Sequence, residues 1–162
     1  MNILIYPDER LKVVSTRVED INSELCDLIS IMNMVMYDSD GLGLAAIQVG
    51  IDKRFFVYDI LRNNKPKTII NPEIIYTEGI TISEGEGCLS LPGITSNLKR
   101  AKKILVGGVD INGKEVEVEA DGLLSILFQH EIDHLNGFLL IDHFSSLKRK
   151  LYEKKLKKIK KY

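Results

Sequence analysis

Gly122-Leu123-Leu124-Ser125-Ile126-Leu127-Phe128-Gln129-His130-Glu131-Ile132-Asp133-His134-Leu135-Asn136-Gly137 reads as one helix with its own start and stop. Asp121 is placed to cap it, and Asn136-Gly137 to close it with a glycine turn. Leu123 to Phe128 is apolar nearly all round, which predicts burial on most sides. His130 and His134 follow, four residues apart and therefore on one face, where both imidazoles can reach one cation. Glu131 lies about 100° from His130 and about 60° from His134 around the axis. It can reach a water on that cation without being a ligand itself. The chain has three histidines, and two of them stand here. Two imidazoles and a carboxylate on an apolar helix are costly unless paired or ligated. The expectation is a central metal-binding helix.

Outward from it, the order of elements predicts an α+β fold with short antiparallel sheets packed around that helix. Asn22 is a good N-cap, and Leu25, Leu28, Ile29, Met32, Val35 and Met36 recur at helical spacing, giving an N-terminal helix over about 22–38. Cys26 falls within it and is read as a small core side chain. Residues 54–60, 67–70, 73–76 and 80–83 read as short strands, the last three split by Asn71-Pro72 and Glu78-Gly79. Residues 103–110 and 114–120 flank Asn112-Gly113, a strong hairpin signal. A C-terminal helix fits 145–161, with Leu147, Leu151, Tyr152, Leu156 and Ile159 as its apolar stripe.

The chain has 162 residues, enough for one domain, and no linker divides it, so residues 1–162 are read as a single catalytic domain. Hydrophobic residues make up 44%, which excludes a disordered chain. No apolar run approaches membrane-spanning length, and the start lacks a basic segment followed by an apolar one, so neither a membrane nor secretion is expected. The location expected is cytoplasmic. Charge is uneven: residues 147–162 carry nine Lys/Arg and one acid, whereas the other 146 residues carry 13 basic and 22 acidic side chains. A basic helix on an acidic body has a polyanion as its expected partner.

Two histidines leave a catalytic metal site one protein ligand short. The spacing that supplies a third histidine in one peptidase class would put it at position 140, which is Leu140, and His143 reads as a surface or packing residue. Cys88, in Glu84-Gly85-Glu86-Gly87-Cys88-Leu89-Ser90-Leu91-Pro92-Gly93, is oddly placed for a core thiol and is a candidate ligand. Gly41-Leu42-Gly43-Leu44-Ala45-Ala46-Ile47-Gln48 reads as backbone that approaches a ligand closely, followed by a polar amide. It lacks the Lys-Ser/Thr of a phosphate loop, so no nucleotide cofactor is expected.

These three segments, in this order, closely resemble the signatures of the peptide deformylase family, and the resemblance runs over essentially the whole chain. It implies removal of the N-formyl group from the initiator methionine of nascent polypeptides. It implies Cys88, His130 and His134 as ligands to one divalent ion, natively Fe2+, with Zn2+, Ni2+ and Co2+ also compatible with such a donor set. It implies Glu131 as general base and acid, and the Gln48 amide and Leu89 backbone N–H as stabilisers of the oxyanion. The Gly43 backbone would hold the peptide, and Leu42, Glu86, Leu123, Ile126, Leu127 and His130 would line the methionine pocket. Thr95 stands where many bacterial members carry an arginine. N-formylmethionyl nascent peptides are the expected partners, with the ribosome and its RNA bound through the basic helix. On that view, removing the chain beyond Leu147 weakens ribosome binding and spares turnover of small peptides. The competing readings are an HExxH-type metallopeptidase and a non-catalytic, ribosome-associated deformylase-like protein.

Overall fold

The computed structural model describes residues 1–159, and side chains as far as residue 156. Three helices, α1 (Ser23–Asp38), α2 (Gly122–Leu135) and α3 (Ser146–Ile159), accompany five strands. The strands are β1 (Gly43–Ala45), β2 (Phe55–Tyr58), β3 (Lys67–Gly87), β4 (Thr95–Val109) and β5 (Glu115–Asp121). They form one antiparallel sheet in sequence order. The α+β expectation holds. Positions 160 and 161 of the expected C-terminal helix, and the side chain of Ile159 in its stripe, lie outside what is described.

Both predicted helix starts are capped by side chains. Asn22 Oδ1 accepts from Leu25 N at 3.0 Å, and Asp121 Oδ1 from Gly122 N at 2.6 Å. Gly137 closes α2 with φ of 75°, and a Cβ there would stand 2.5 Å from Lys12 O, so the position admits only glycine. The hairpin at Asn112-Gly113 forms as expected, with Gly113 at φ of 78°.

β2 is buried on both faces. Phe55 and Val57 pack with Leu25, Ile29, Met32 and Met36 of α1, and Phe56 and Tyr58 pack with Phe128, Ile132 and Leu135 of α2. The Tyr58 ring meets Phe128 edge-on at 4.8 Å. The sheet therefore lies between α1 and α2, and α2 presses its histidine end against β1.

Three expectations are corrected. The segments 67–70, 73–76 and 80–83 are one 21-residue strand, β3, and β4 begins at Thr95 rather than 103. Asn71-Pro72 bends the strand instead of ending it. Asn71 takes φ of 51° in a bulge; its backbone N–H donates to Arg54 O at 2.7 Å, and its side-chain amide exchanges two 2.9 Å hydrogen bonds with the Val18 backbone. Gly79 has positive φ, yet pairing continues through Glu78–Lys103 and Ile80–Ala101. Cys26 is not a core residue: it is half-buried and lines a groove between α1 and the sheet, with Tyr58, Ile69 and Val118. The third correction concerns α3. Of its expected apolar stripe, Tyr152 and Leu156 are buried with Leu91, Leu98, Leu139 and Leu140, whereas Leu147 and Leu151 are exposed.

Candidate active site

Three segments converge at one end of α2. β1 and the turn after it bring Gly43 and Gln48. The end of β3 brings Glu86 and Cys88, and α2 brings His130, Glu131 and His134. A bulge between Ser83 and Glu86 sets the facing of β3. The extra residue lets both Ser83 and Glu86 point inward, where an unbroken strand would turn Glu86 to solvent.

Cys88 Sγ and a ring nitrogen from each of His130 and His134 lie within 4.8 Å of one another. Cys88 Sγ stands 3.2 Å from His134 Nε2. Metal–ligand bonds of about 2.0–2.3 Å would set tetrahedral donors roughly 3.3–3.7 Å apart, so a small inward shift suffices for an ion. His130 Nδ1 meets Glu86 Oε1 at 2.8 Å, which leaves its Nε2 for the centre of the cluster. The set of one thiolate and two imidazoles suits a borderline divalent cation. Two buried polar atoms, Glu131 Oε2 and His134 Nδ1, have no hydrogen-bond partner among the described residues.

Arg100 braces this cluster from behind. It donates to Glu86 through Nε at 3.2 Å and Nη2 at 2.6 Å, and to Asp133 Oδ2 through Nη1 at 2.7 Å. Burial opposes the Glu86 carboxylate, but hydrogen bonds from His130 and Arg100 outweigh it and bring its pKa down to about 2. Glu131 has the reverse balance: burial dominates and pushes it up to about 7. Burial likewise opposes the charged form of His130, yet Cys88 and Glu86 raise its pKa well above the usual imidazole value. Burial and the neighbouring His130 lower that of His134 well below it.

Gln48 is held at both ends. Its Oε1 accepts from Ala45 N at 2.8 Å, and its Nε2 donates to Ser90 Oγ at 3.2 Å while lying 3.9 Å from Cys88 Sγ. A cavity of about 550 Å³ opens over the cluster. Leu42, Gly43, Gln48, Glu86, Cys88, Leu89, Leu123, Ile126, Leu127, His130 and Glu131 all line it, whereas His134 lies behind Cys88. Every residue that the family resemblance assigns to the site is thus in or beside one cleft. His143 is outside it, 3.4 Å from Asp133 Oδ2 at the surface. Sequence reading missed Arg100, Asp133 and Ser90. Arg100 had a signal: with β4 starting at 95, Ser96, Leu98 and Arg100 share the buried face, and an inward arginine needs acidic partners.

The arrangement offers a cation site, a buried carboxylate with an unengaged oxygen, an amide donor and an apolar cleft. That combination serves hydrolysis of a carbonyl compound. The model of the polypeptide deformylase family matches residues 1–150. A peptide deformylase of Thermodesulfovibrio yellowstonii is 51% identical over 160 residues, covering 97% of this chain and 96% of its own. The crystal structure of a peptide deformylase from Legionella pneumophila superposes with a TM-score of 0.94 at 43% identity, over 99% of this chain and 95% of that one. One from Ehrlichia chaffeensis, in complex with actinonin, gives 0.94 at 36% identity, over 100% of this chain and 98% of that one. Sequence and fold agree from end to end with these enzymes, and the chain belongs to the polypeptide deformylase family.

Proposed function

We propose that this chain, as one catalytic domain, hydrolyses the formamide bond of N-formylmethionyl nascent peptides and releases formate. The observation that carries the reading is the meeting of Cys88, His130 and His134 under a cleft into which Glu131 brings an unengaged carboxylate oxygen. Cys88 Sγ and the two imidazoles would hold one divalent ion, Fe2+ natively, with Zn2+, Ni2+ or Co2+ able to replace it. Such an ion supplies a Lewis acid for the formyl oxygen and lowers the pKa of a water. Glu131 takes the proton of the attacking water. The hydroxide oxygen adds to the formyl carbon, the C–N bond breaks, and Glu131 returns the proton to the methionine nitrogen. Such proton transfer contributes roughly 10²–10⁴ in rate. The Gln48 amide and the Leu89 N–H stabilise the oxyanion, and the Gly43 backbone aligns the peptide. Leu42, Leu123, Ile126 and Leu127 offer the unbranched methionine side chain an apolar wall, with Glu86 and His130 at its base.

No helix among the described residues is long and apolar enough to cross a membrane, in keeping with action on nascent chains in the cytoplasm. Lys150 and Lys154, two of the exposed lysines of α3, mark the side we assign to ribosomal RNA. The test is formate release from a formyl-Met tripeptide by protein loaded anaerobically with Fe2+, or with Ni2+. An acetyl-Met peptide and Glu131→Gln serve as blanks. Rapid release from the formyl peptide alone is expected, with the variant holding one ion per chain and falling by at least about 10²-fold. A metal-loaded parent without release rejects the reading.

A further inference from the structure

The wall of the cleft beyond Cys88 is the loop from Pro92 into β4, of which Gly93, Ile94 and Thr95 line the cavity. Little holds it from within. Gly93 sits at φ of 72°, and the loop has no ladder partner until Thr95 pairs with Gly87.

It is held from behind by α3. Lys155 Nζ donates to Gly93 O at 3.0 Å. Lys148 Nζ donates to Ser96 Oγ at 2.7 Å and reaches Thr95 O at 3.5 Å. The Lys148 ammonium also stands 4.2 Å from the centre of the Phe144 ring, which fixes its direction. Between the two lysines, Tyr152 and Leu156 pack against Leu91 and Leu98, the residues that bracket the loop, with Ile94 against the same cluster. Positions 148, 152, 155 and 156 fall on one helical face. Two lysines of the basic helix therefore lie across the cleft wall: Lys155, itself exposed, on the Gly93 carbonyl, and half-buried Lys148 on the Ser96 hydroxyl and the Thr95 carbonyl. A solvated basic face would send both to water, and a helix serving only a polyanion would have no use for these contacts.

We infer that Lys148 and Lys155 are positioning residues for peptide binding. They fix the Gly93–Thr95 wall against which the residues after the methionine lie. This rests on the cleft taking a formylated peptide, as proposed above. An ammonium group has three donors and no acceptor, so each lysine can orient carbonyls without competing for the N–H groups a bound peptide needs. Loss of the two ties lets the wall sample other conformations, and ordering it again on binding raises KM. The hydrolytic groups, on β1, β3 and α2, are untouched, so kcat stays near its value.

The test uses full-length, metal-loaded protein and two substrates: formyl-Met amide, which ends at the methionine, and a formyl-Met-Ala-Ser peptide. For Lys148→Met/Lys155→Met, the tripeptide KM should rise about fivefold to tenfold, the cost of ordering one or two freed groups. Its kcat should stay within about twofold, and KM for the amide should hardly move. Lys148→Arg/Lys155→Arg should recover most of the tripeptide KM, because a guanidinium also donates to carbonyls. Lys65→Met/Lys114→Met, which removes as much charge at exposed positions away from the cleft and from α3, should leave both substrates unchanged. Should the double methionine variant fail to fold, Lys155→Met alone should raise the tripeptide KM two- to threefold. An unchanged tripeptide KM in folded protein, or an equal fall in kcat on both substrates, overturns the inference. A parent that releases no formate removes the proposed function instead.

Discussion

Gly43→Ala separates the placement of Glu131 from everything else in the cleft. Gly43 lies in β1 with an ordinary extended backbone, so alanine fits its dihedral angles, keeps both backbone hydrogen-bonding groups and brings no strain of its own. The added methyl is the whole perturbation. It would stand 2.7 Å from Glu131 Oε1, 2.9 Å from Leu127 Cδ1 and 3.1 Å from Glu131 Cδ. Relaxed contacts to carbon are about 3.5–4.0 Å, so the Glu131 carboxylate and the Leu127 methyl must each retreat by roughly 0.6–1 Å. Leu127 can turn toward the open cleft, but Glu131 is 3% exposed and has no such room. A misplacement of about 1 Å costs roughly 10² in rate, so kcat for a formyl peptide should fall about 100-fold. Overpacking of this kind costs about 1–3 kcal/mol, a fall of roughly 2–12 °C in Tm for a chain of this size. Cys88, His130 and His134 are not touched, and metal content should hold at one ion per chain. The decisive assay is a double-mutant cycle with Glu131→Gln. If the methyl acts through Glu131, adding it to that variant should cost less than about threefold more. A folded, metal-replete Gly43→Ala enzyme with more than a third of the parent kcat would falsify this account. So would a full 100-fold further loss on the Glu131→Gln background.

Arg100→Leu should destabilise the fold by about 3–5 kcal/mol, because it strands the buried Glu86 carboxylate with only His130 for company. Denaturant titration reads this. Adding Glu86→Gln should restore part of the loss, and a loss under about 1 kcal/mol speaks against the brace. Acid should weaken the fold through Asp59, whose pKa is lowered chiefly by the Tyr37 hydroxyl at 2.6 Å. A depressed carboxylate stabilises above its unfolded value near 4 and loses that contribution as pH falls through the folded value. Asp59→Asn should therefore show a shallower drop in denaturation midpoint between pH 6 and pH 3, and parallel curves would rule this out. Tyr37, pushed up to about 12 first by burial and then by Asp59, gives the opposite limb. Its contribution is present below pH 10 and is lost between about 10 and 12, and in Tyr37→Phe that loss should be absent.

The helices and the β4–β5 hairpin were legible because their signals are local. Asn22 and Asp121 bond to amides within three residues, and Asn112-Gly113 specifies its own turn. β3 was not, because Asn71-Pro72 has turn chemistry and its partner is 53 residues away, at Val18. No local pattern says that a distant backbone will hold the side chain of a bulge residue. Likewise, the stripe of Tyr152 and Leu156 marked α3 as amphipathic without saying that Leu91 and Leu98 lay beneath it. The HExxH spacing by itself put His130 and His134 forward as a candidate pair, and the fold brings their ring nitrogens together with Cys88 Sγ. That Cys88 comes within 3.2 Å of His134 depends on the whole length of β3, and the family resemblance, not the local sequence, carried that step.

Glu86 and Glu131 show how one cleft holds two buried carboxylates in different states. Both are nearly inaccessible, at 8% and 3% exposure, so burial alone would drive both toward the neutral acid. Glu86 escapes because β4 turns Arg100 inward beside it and α2 brings His130 Nδ1, giving its two oxygens three donors. It is thereby committed: an oxygen bonded to a guanidinium and an imidazole is not free to exchange a proton with a substrate. Glu131 faces the small space that Gly43 leaves, with one oxygen unengaged. The partners present in the fold, rather than the residue type, thus divide the labour. Glu86 orients His130, and Glu131 is left with a free oxygen for the proton transfer proposed above. Arg100 deepens that division, because it adds two donors to the Glu86 carboxylate beyond the one from His130, whereas Glu131 gains none from it.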